Sequence, residues 1–189
     1  RGYVSALYNS ILSKDILRRR RAQREDADVW MAKGSVWEDC HLKVYATGSN
    51  DSGVSWVIEH EGKRIFHAGD LCNWYARFLS EDSVPERVVS DEFGEINPKA
   101  EEKQFLGELK DIRKIADRFD LVMFPVDGRI GNGYTLGGRQ FIGRFSVGLF
   151  VPMHFVASGF ESAWRMAPFC QERGIPFWCI KEEGECIDL

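Results

Sequence analysis

The sequence contains no Cys-x-x-Cys pair, and its five cysteines, Cys40, Cys72, Cys170, Cys179 and Cys186, are odd in number and widely scattered. This spacing excludes a zinc knuckle and a thioredoxin-type redox motif, and it fits free, buried thiols in a reducing compartment. No apolar run approaches the ~18 residues of a membrane-crossing helix. No signal-peptide pattern opens the chain either, although it begins with Arg1 rather than Met. A natural N-terminus further upstream and a cytoplasmic location are therefore the expectations, the second holding only where the missing start carries no signal. Charge of one sign is also scarce: 25 Lys and Arg stand against 29 Asp and Glu, a formal net charge of −4. The basic footprint of a nucleic-acid binder is missing. The one basic run, Arg18, Arg19, Arg20 and Arg21 with Arg24, meets Glu25, Asp26 and Asp28 at once, and reads as a solvated helix face laced with charge pairs. Neither nucleic acid nor membrane is expected as a partner; a small molecule is.

Aromatic residues, by contrast, are plentiful: 13 Phe and 6 Trp in 189 residues. They imply a well-filled core or an aromatic surface that meets something else. Ser13 can cap a helix through Ile16 and Leu17 into the arginine run. Residues 29–32 read as a short strand, ended by a turn at Lys33-Gly34-Ser35. Residues 42–46 alternate apolar and polar, 48–53 are turn chemistry, 54–59 form a β-branched strand, and Glu61-Gly62 turns the chain back into 64–68. Residues 71–97 are acidic and read as a long loop or partly helical excursion. Phe105, Leu109, Ile112 and Ala116 mark one face of a helix over 99–118. A buried strand over 120–126, a glycine-rich loop over 127–138, a helix over 138–145 and a second buried strand over 148–153 follow. A helix over 159–172 and short strands near 176–180 and 185–188 complete an α/β layering.

Two of these strands end on groups that bind metals: Phe66-His67-Ala68-Gly69-Asp70 and Phe150-Val151-Pro152-Met153-His154. Ligands of α/β sheets collect at the C-terminal ends of strands. Zinc accepts imidazole nitrogen and carboxylate oxygen, and an aspartate can bridge two ions. Taken singly each signal is weak, because a histidine after a strand is more often a hydrogen-bonded structural residue and an aspartate after glycine a turn. Trp74 and Tyr75 either wall a substrate pocket or pack the acidic loop, and Tyr134 is a second candidate for substrate contact. The glycines around Tyr134 match neither a Walker motif nor a dinucleotide fingerprint, and read as loop flexibility. Asp127 and Arg129, just after a strand, either orient groups near a metal or form an ordinary cis-acting pair on a turn. His41 and His60 sit by turns and read as solvated.

The run "GSNDSGVSWVIEHEGKRIFHAGDLCNW" resembles the metallo-β-lactamase-fold hydrolases, and within them a bacterial subgroup reading "GSTD-x-GVSF" and "IFHAGD-x-NNW". Downstream, "DLVMFPVDGRIGNGYTLGG" and "GLFVPMHF" are similar to the same subgroup, as is "ILSKDI" near the start. The resemblance implies an αββα sandwich, two sheets between helices, of which this chain is the C-terminal portion of a single domain, incomplete at its N-terminus. It implies zinc or another divalent transition metal, one or two ions in the complete protein, with Asp70 as the bridging carboxylate and His154 as the last metal histidine. His67 is read as an outer or structural residue. The main His-x-His-x-Asp-His motif of the family is absent from these residues. The usual third histidine is replaced by Ser49-Asn50-Asp51, where Asp51 is either a substitute oxygen ligand or a turn cap. The implied activity is metal-dependent hydrolysis of an unassigned substrate; the alternative is a non-catalytic binding or regulatory protein on a degenerated version of the fold. About one sheet's worth of strands is present, so an inner face carrying Val44, Trp56, Ile58 and Phe66 is expected to lie open. Homo-oligomerisation, or pairing through an open sheet edge, would cover it.

Overall fold

Alternation of apolar and polar side chains along residues 42–67 builds one wall of the molecule. The computed structural model describes residues 11–13, 29–78, 88–91, 94–155 and 159–189. The expected helix after Ser13 and the arginine run lie outside them; Ser13 itself ends a strand. That strand, β1 (Ile11–Ser13), pairs in parallel with β2 (Val29–Met31). An antiparallel meander follows: β3 (Val36–Glu38), β4 (Leu42–Thr47), β5 (Ser55–His60) and β6 (Lys63–His67). The acidic excursion holds a 3-10 turn at Trp74–Phe78 and a small hairpin, β7 (Val89–Asp91) with β8 (Gly94–Ile96). Then come α1 (Pro98–Arg113), β9 (Arg118–Phe119), β10 (Leu121–Pro125), α2 (Leu136–Ile142), β11 (Ser146–Val147), β12 (Phe150–Met153), α3 (Phe160–Trp164) and α4 (Ala167–Gln171). The main sheet is six-stranded in the order β12-β10-β6-β5-β4-β3, with β12, β10 and β6 mutually parallel.

Register divides the core in two. Tyr45, Val57, Phe66, Val122 and Phe150 lie across from one another on one face. There they meet Phe105, Leu109 and Ile112 of α1 and Phe141 of α2 in the largest cluster. The abundant phenylalanines fill it: Phe66 stacks on Phe141 at 4.8 Å, and Phe141 on Phe145 at 4.5 Å. Val44, Ile58, Ile65 and Leu121 occupy the other face. Phe66 therefore does not belong with Val44, Trp56 and Ile58, because the hairpin at Glu61-Gly62 sets its parity to the helical side. Nor is Val44 open: Met31 of β2 packs over Val44, Ala46 and Val54, all buried. Trp178 and Ile180 cover Leu121, Leu149 and Val151. Trp56, Ile58, Ile65 and Met123 stay half-buried between these two covers.

The boundaries have local causes. Asn97 caps α1, accepting from the Ala100 amide, and Pro98 opens its first turn. The helix stops at Arg113, short of the expected 118, because Arg118–Phe119 pairs with β11 instead. The single helix expected over 159–172 is two, since Pro168 has no amide to bond back toward Trp164. Of the two closing strands only one bridge forms, Phe177 beside Phe150. With Phe150 donating to Pro176 and Trp178 to Phe150, it caps the β12 edge. Cys72, Cys170 and Cys179 are buried as free thiols, whereas Cys40 and Cys186 are exposed, against the expectation that all five are inside. Burial pushes the Cys72 and Cys170 thiols up to about 12, which keeps both protonated. No helix of the described residues is long and apolar enough to cross a membrane.

The glycine-rich loop is not slack. A Cβ at Gly133 would stand 2.0 Å from the Ala76 carbonyl oxygen, and one at Gly137 would stand 2.8 Å from Cys72 Sγ. These glycines let the loop press against the turn that follows Asp70. Gly133→Ala must push two backbones apart, and a loss of at least about 2 kcal/mol of stability is expected in urea denaturation. An unchanged midpoint would mean that the two loops separate freely.

Candidate metal centre

The three parallel strands β6, β10 and β12 end on the same edge of the sheet. Neighbouring strands are about 4.8 Å apart, so groups at the tips of β6 and β12 must lean over the tip of β10 to meet. They do: His154 Nε2 lies 3.5 Å from Asp70 Oδ1. The tip of β10 supplies Asp127, whose Oδ2 is 2.9 Å from His154 Nδ1. Asp127 is only 1% exposed, and a buried carboxylate needs several donors. Arg129 provides them, with its backbone amide on Oδ1 at 3.0 Å, Nε on both oxygens, and Nη2 on Oδ2. The imidazole thus donates from Nδ1 to Asp127 and turns Nε2 toward Asp70.

Local backbone enforces this pose. His154 has φ +66°, left-handed and costly for a non-glycine residue by about 1–3 kcal/mol. Without that bend the imidazole would continue the alternation of β12. On the other side Gly69 has φ +57°, and a Cβ there would stand 2.7 Å from the Val54 carbonyl oxygen, so the turn presenting Asp70 requires glycine. Trp74 Nε1 donates to the Asp70 carbonyl at 2.7 Å, and the Trp74 ring meets His154 edge-on at 5.3 Å. Asn50 clips the turn from the meander side, accepting from the Cys72 amide and donating to the Cys72 carbonyl.

The other sequence candidates fall as follows. His67 points to the half-buried face of the sheet, in register with Trp56 and Met123, and its Nδ1 accepts from the Gly69 amide. Asp51 is exposed in a turn where its amide donates to Ser49 Oγ. Tyr134 is buried, with its hydroxyl donating to the Ser162 carbonyl, so it ties the loop before α2 to α3. His41 and His60 lie at the opposite edge of the sheet, joined by His60 Nδ1 and the His41 carbonyl. Among the described residues no three His, Cys, Asp or Glu side chains converge as one metal-holding group. Asp127 bridges Arg129 and His154 in this cluster, and its sequence signal is a carboxylate closing a third apolar strand.

Two ligands at about 2.0–2.1 Å from one tetrahedral ion are separated by roughly 3.3 Å. The pair Asp70 and His154 matches that span, and the Asp127–His154 bond is of the kind that orients imidazoles in metal sites. The residues present therefore fit a divalent metal, as two of the three protein ligands that a catalytic zinc usually has.

No family model and no curated protein matches the chain. Solved structures do. A protein from Parabacteroides distasonis assigned as a metal-dependent hydrolase aligns at TM-score 0.53 and 13% identity, over 89% of this chain and 62% of that one. Zn(2+)-bound PqqB from Methylobacterium extorquens aligns at 0.50 and 15%, over 95% and 64%. The CmlA β-hydroxylase aligns at 0.51 and 9%, over 89% and 35%. Likeness at these identities is likeness of fold, and the chain has the metallo-β-lactamase-type fold. It spans less than two thirds of the length of each of these three.

The two histidines near the centre should titrate apart in metal-free protein. The Asp70 carboxylate, and Asp127 behind it, hold the His154 pKa above the usual imidazole value despite partial burial. Burial lowers that of His67. A raised folded pKa means that protonated His154 adds stability in full below about pH 6.5, lost as pH rises through its folded value. Imidazole NMR titration should show His154 losing its proton after His67 as pH rises; the reverse order would contradict the geometry.

Proposed function

We propose that the chain carries part of the metal centre of a metal-dependent hydrolase, zinc being the first candidate, with Asp70 and His154 as ligands and Asp127 as the residue that orients His154. The observation that carries this reading is the Asp127–His154–Asp70 relay across three strand tips. The chemistry such an ion supplies when bound is Lewis acidity toward a carbonyl or phosphoryl oxygen. This chain's own residues would leave the Nε2 lone pair open to such an ion while Asp127 keeps Nδ1 protonated, and they set Trp74 beside the imidazole as an apolar wall for substrate. The fold neighbours described as metal-dependent or Zn(2+)-bound support the class of cofactor. The substrate class is a small molecule.

A second reading, a binding or regulatory protein on the same fold, is favoured by one specific observation. Asn50, standing where the family resemblance places a ligand, has both halves of its amide engaged by Cys72. Zinc titration calorimetry on the metal-stripped protein separates the two. The first reading expects weak, saturable one-site binding, abolished by Asp70→Ala or His154→Ala. Asp127→Asn, keeping the shape and losing the charge, should weaken it by about 10- to 100-fold. Absence of any saturable binding would favour the second reading, and affinity indifferent to Asp70 would refute the ligand assignment.

A further inference from the structure

Resting on the reading of Asp70 and His154 as a metal centre, the geometry points to a substrate class: one that carries an oxyanion, carboxylate or phosphate, gripped by Arg129. Arg129 reaches Asp127 through Nε and Nη2, and Nη2 comes within 3.3 Å of His154 Nδ1. Its guanidinium is therefore fixed against the imidazole ring, on the side away from Asp70. Its third nitrogen, Nη1, makes no hydrogen bond to any described residue. The side chain is 57% exposed, whereas the carboxylate beneath it is 1% exposed. A clamp needed only to neutralise Asp127 has no reason to hold one edge of the fork in solvent beside the centre. Two of three nitrogens are already immobilised, so the free edge binds an incoming oxyanion with little further loss of side-chain entropy. Asp127 is engaged on the Nε–Nη2 side of the fork, and Asp70 meets the imidazole at Nε2, the ring nitrogen turned away from Arg129. A substrate held by its anion on Arg129 would extend past the imidazole toward Asp70, along the wall made by Trp74.

The test is an NMR titration of the arginine Nε–H resonances in metal-stripped protein, with inorganic phosphate, acetate and, as the neutral analogue, acetamide at constant ionic strength. The expected result is a saturable shift of the Arg129 resonance with phosphate or acetate and none with acetamide, the tighter anion identifying which oxyanion the substrate carries. Arg129→Lys keeps the charge and loses the fork, and should weaken binding by about ten-fold or more, as charge-assisted hydrogen bonds are worth. Should that variant fail to fold, the wild-type titration still decides. Asp70→Ala, which removes the proposed ligand, should keep the anion response. No Arg129 shift, or equal shifts with acetamide, would overturn the inference even if zinc binds as proposed. An anion response in a protein that binds no zinc would sustain the arginine site and sink the metal reading.

Discussion

A carboxylate that is almost wholly enclosed, at the tip of the middle strand of three, sets the arrangement around it. Asp127 cannot remain ionised there without donors, since isolated burial of such a charge costs far more than a domain can spare. Burial pushes its pKa up, yet the Arg129 guanidinium and amide and the His154 imidazole outweigh this and hold it below the usual aspartate range. Each donor is thereby fixed. Arg129 must fold back two residues onto the strand end, which shapes the turn at Gly128–Ile130. His154 must present Nδ1, which leaves only Nε2 for other work, and its backbone adopts a left-handed conformation to do so.

The sheet makes that interaction possible. Because β10 pairs in parallel with both β6 and β12, the three chain directions coincide and their C-terminal tips open on one edge. An antiparallel partner at either position would have sent Asp70 or His154 to the far edge, where His41 and His60 now lie. Helices α1 and α2 cover only the face that carries Phe66 and Val122, so the tips project beyond the helical layer.

The strands and their polarity were legible because period-two alternation and β-branching are local signals; residues 42–67 show both, and β4, β5 and β6 fall within a residue or two of expectation. Asp70 and His154 were legible for the same reason, each closing an apolar run. The rest depended on information that is not local. Strand β3 has a single half-buried tryptophan between exposed neighbours, and only its pairing with β4 makes it a strand. Phe66 lies on the face opposite to the expected one because a strand's parity after a hairpin depends on the turn register. The glycines near Tyr134 read as flexible because a sequence cannot show Ala76 pressing on Gly133. Asn50 reads as turn chemistry until Cys72, 22 residues later, stands opposite its amide.

On the proposed reading of Asp70 and His154 as metal ligands, a centre with so few ligands depends more than most on preorganisation. Each added ligand normally offsets part of the entropy lost in ordering the others, and with two donors among the described residues that help is small. The turn bearing Asp70 is held by the Trp74 indole, the Asn50 amide and a glycine where a side chain would collide. Beneath it Asn73 is buried and donates to Gln140, which in turn donates to Glu102, whose carboxylate also meets Lys99. This polar network joins the Asp70 turn to α1 and α2. His154 is immobilised from the opposite side by Asp127. Asp70 and His154 are thus held 3.5 Å apart through separate supports, one anchored in the helical layer and one in the middle strand. On the proposed reading, loosening either support would leave both side chains present and lower the affinity for metal, because what is lost is the fixed span between them rather than a ligand.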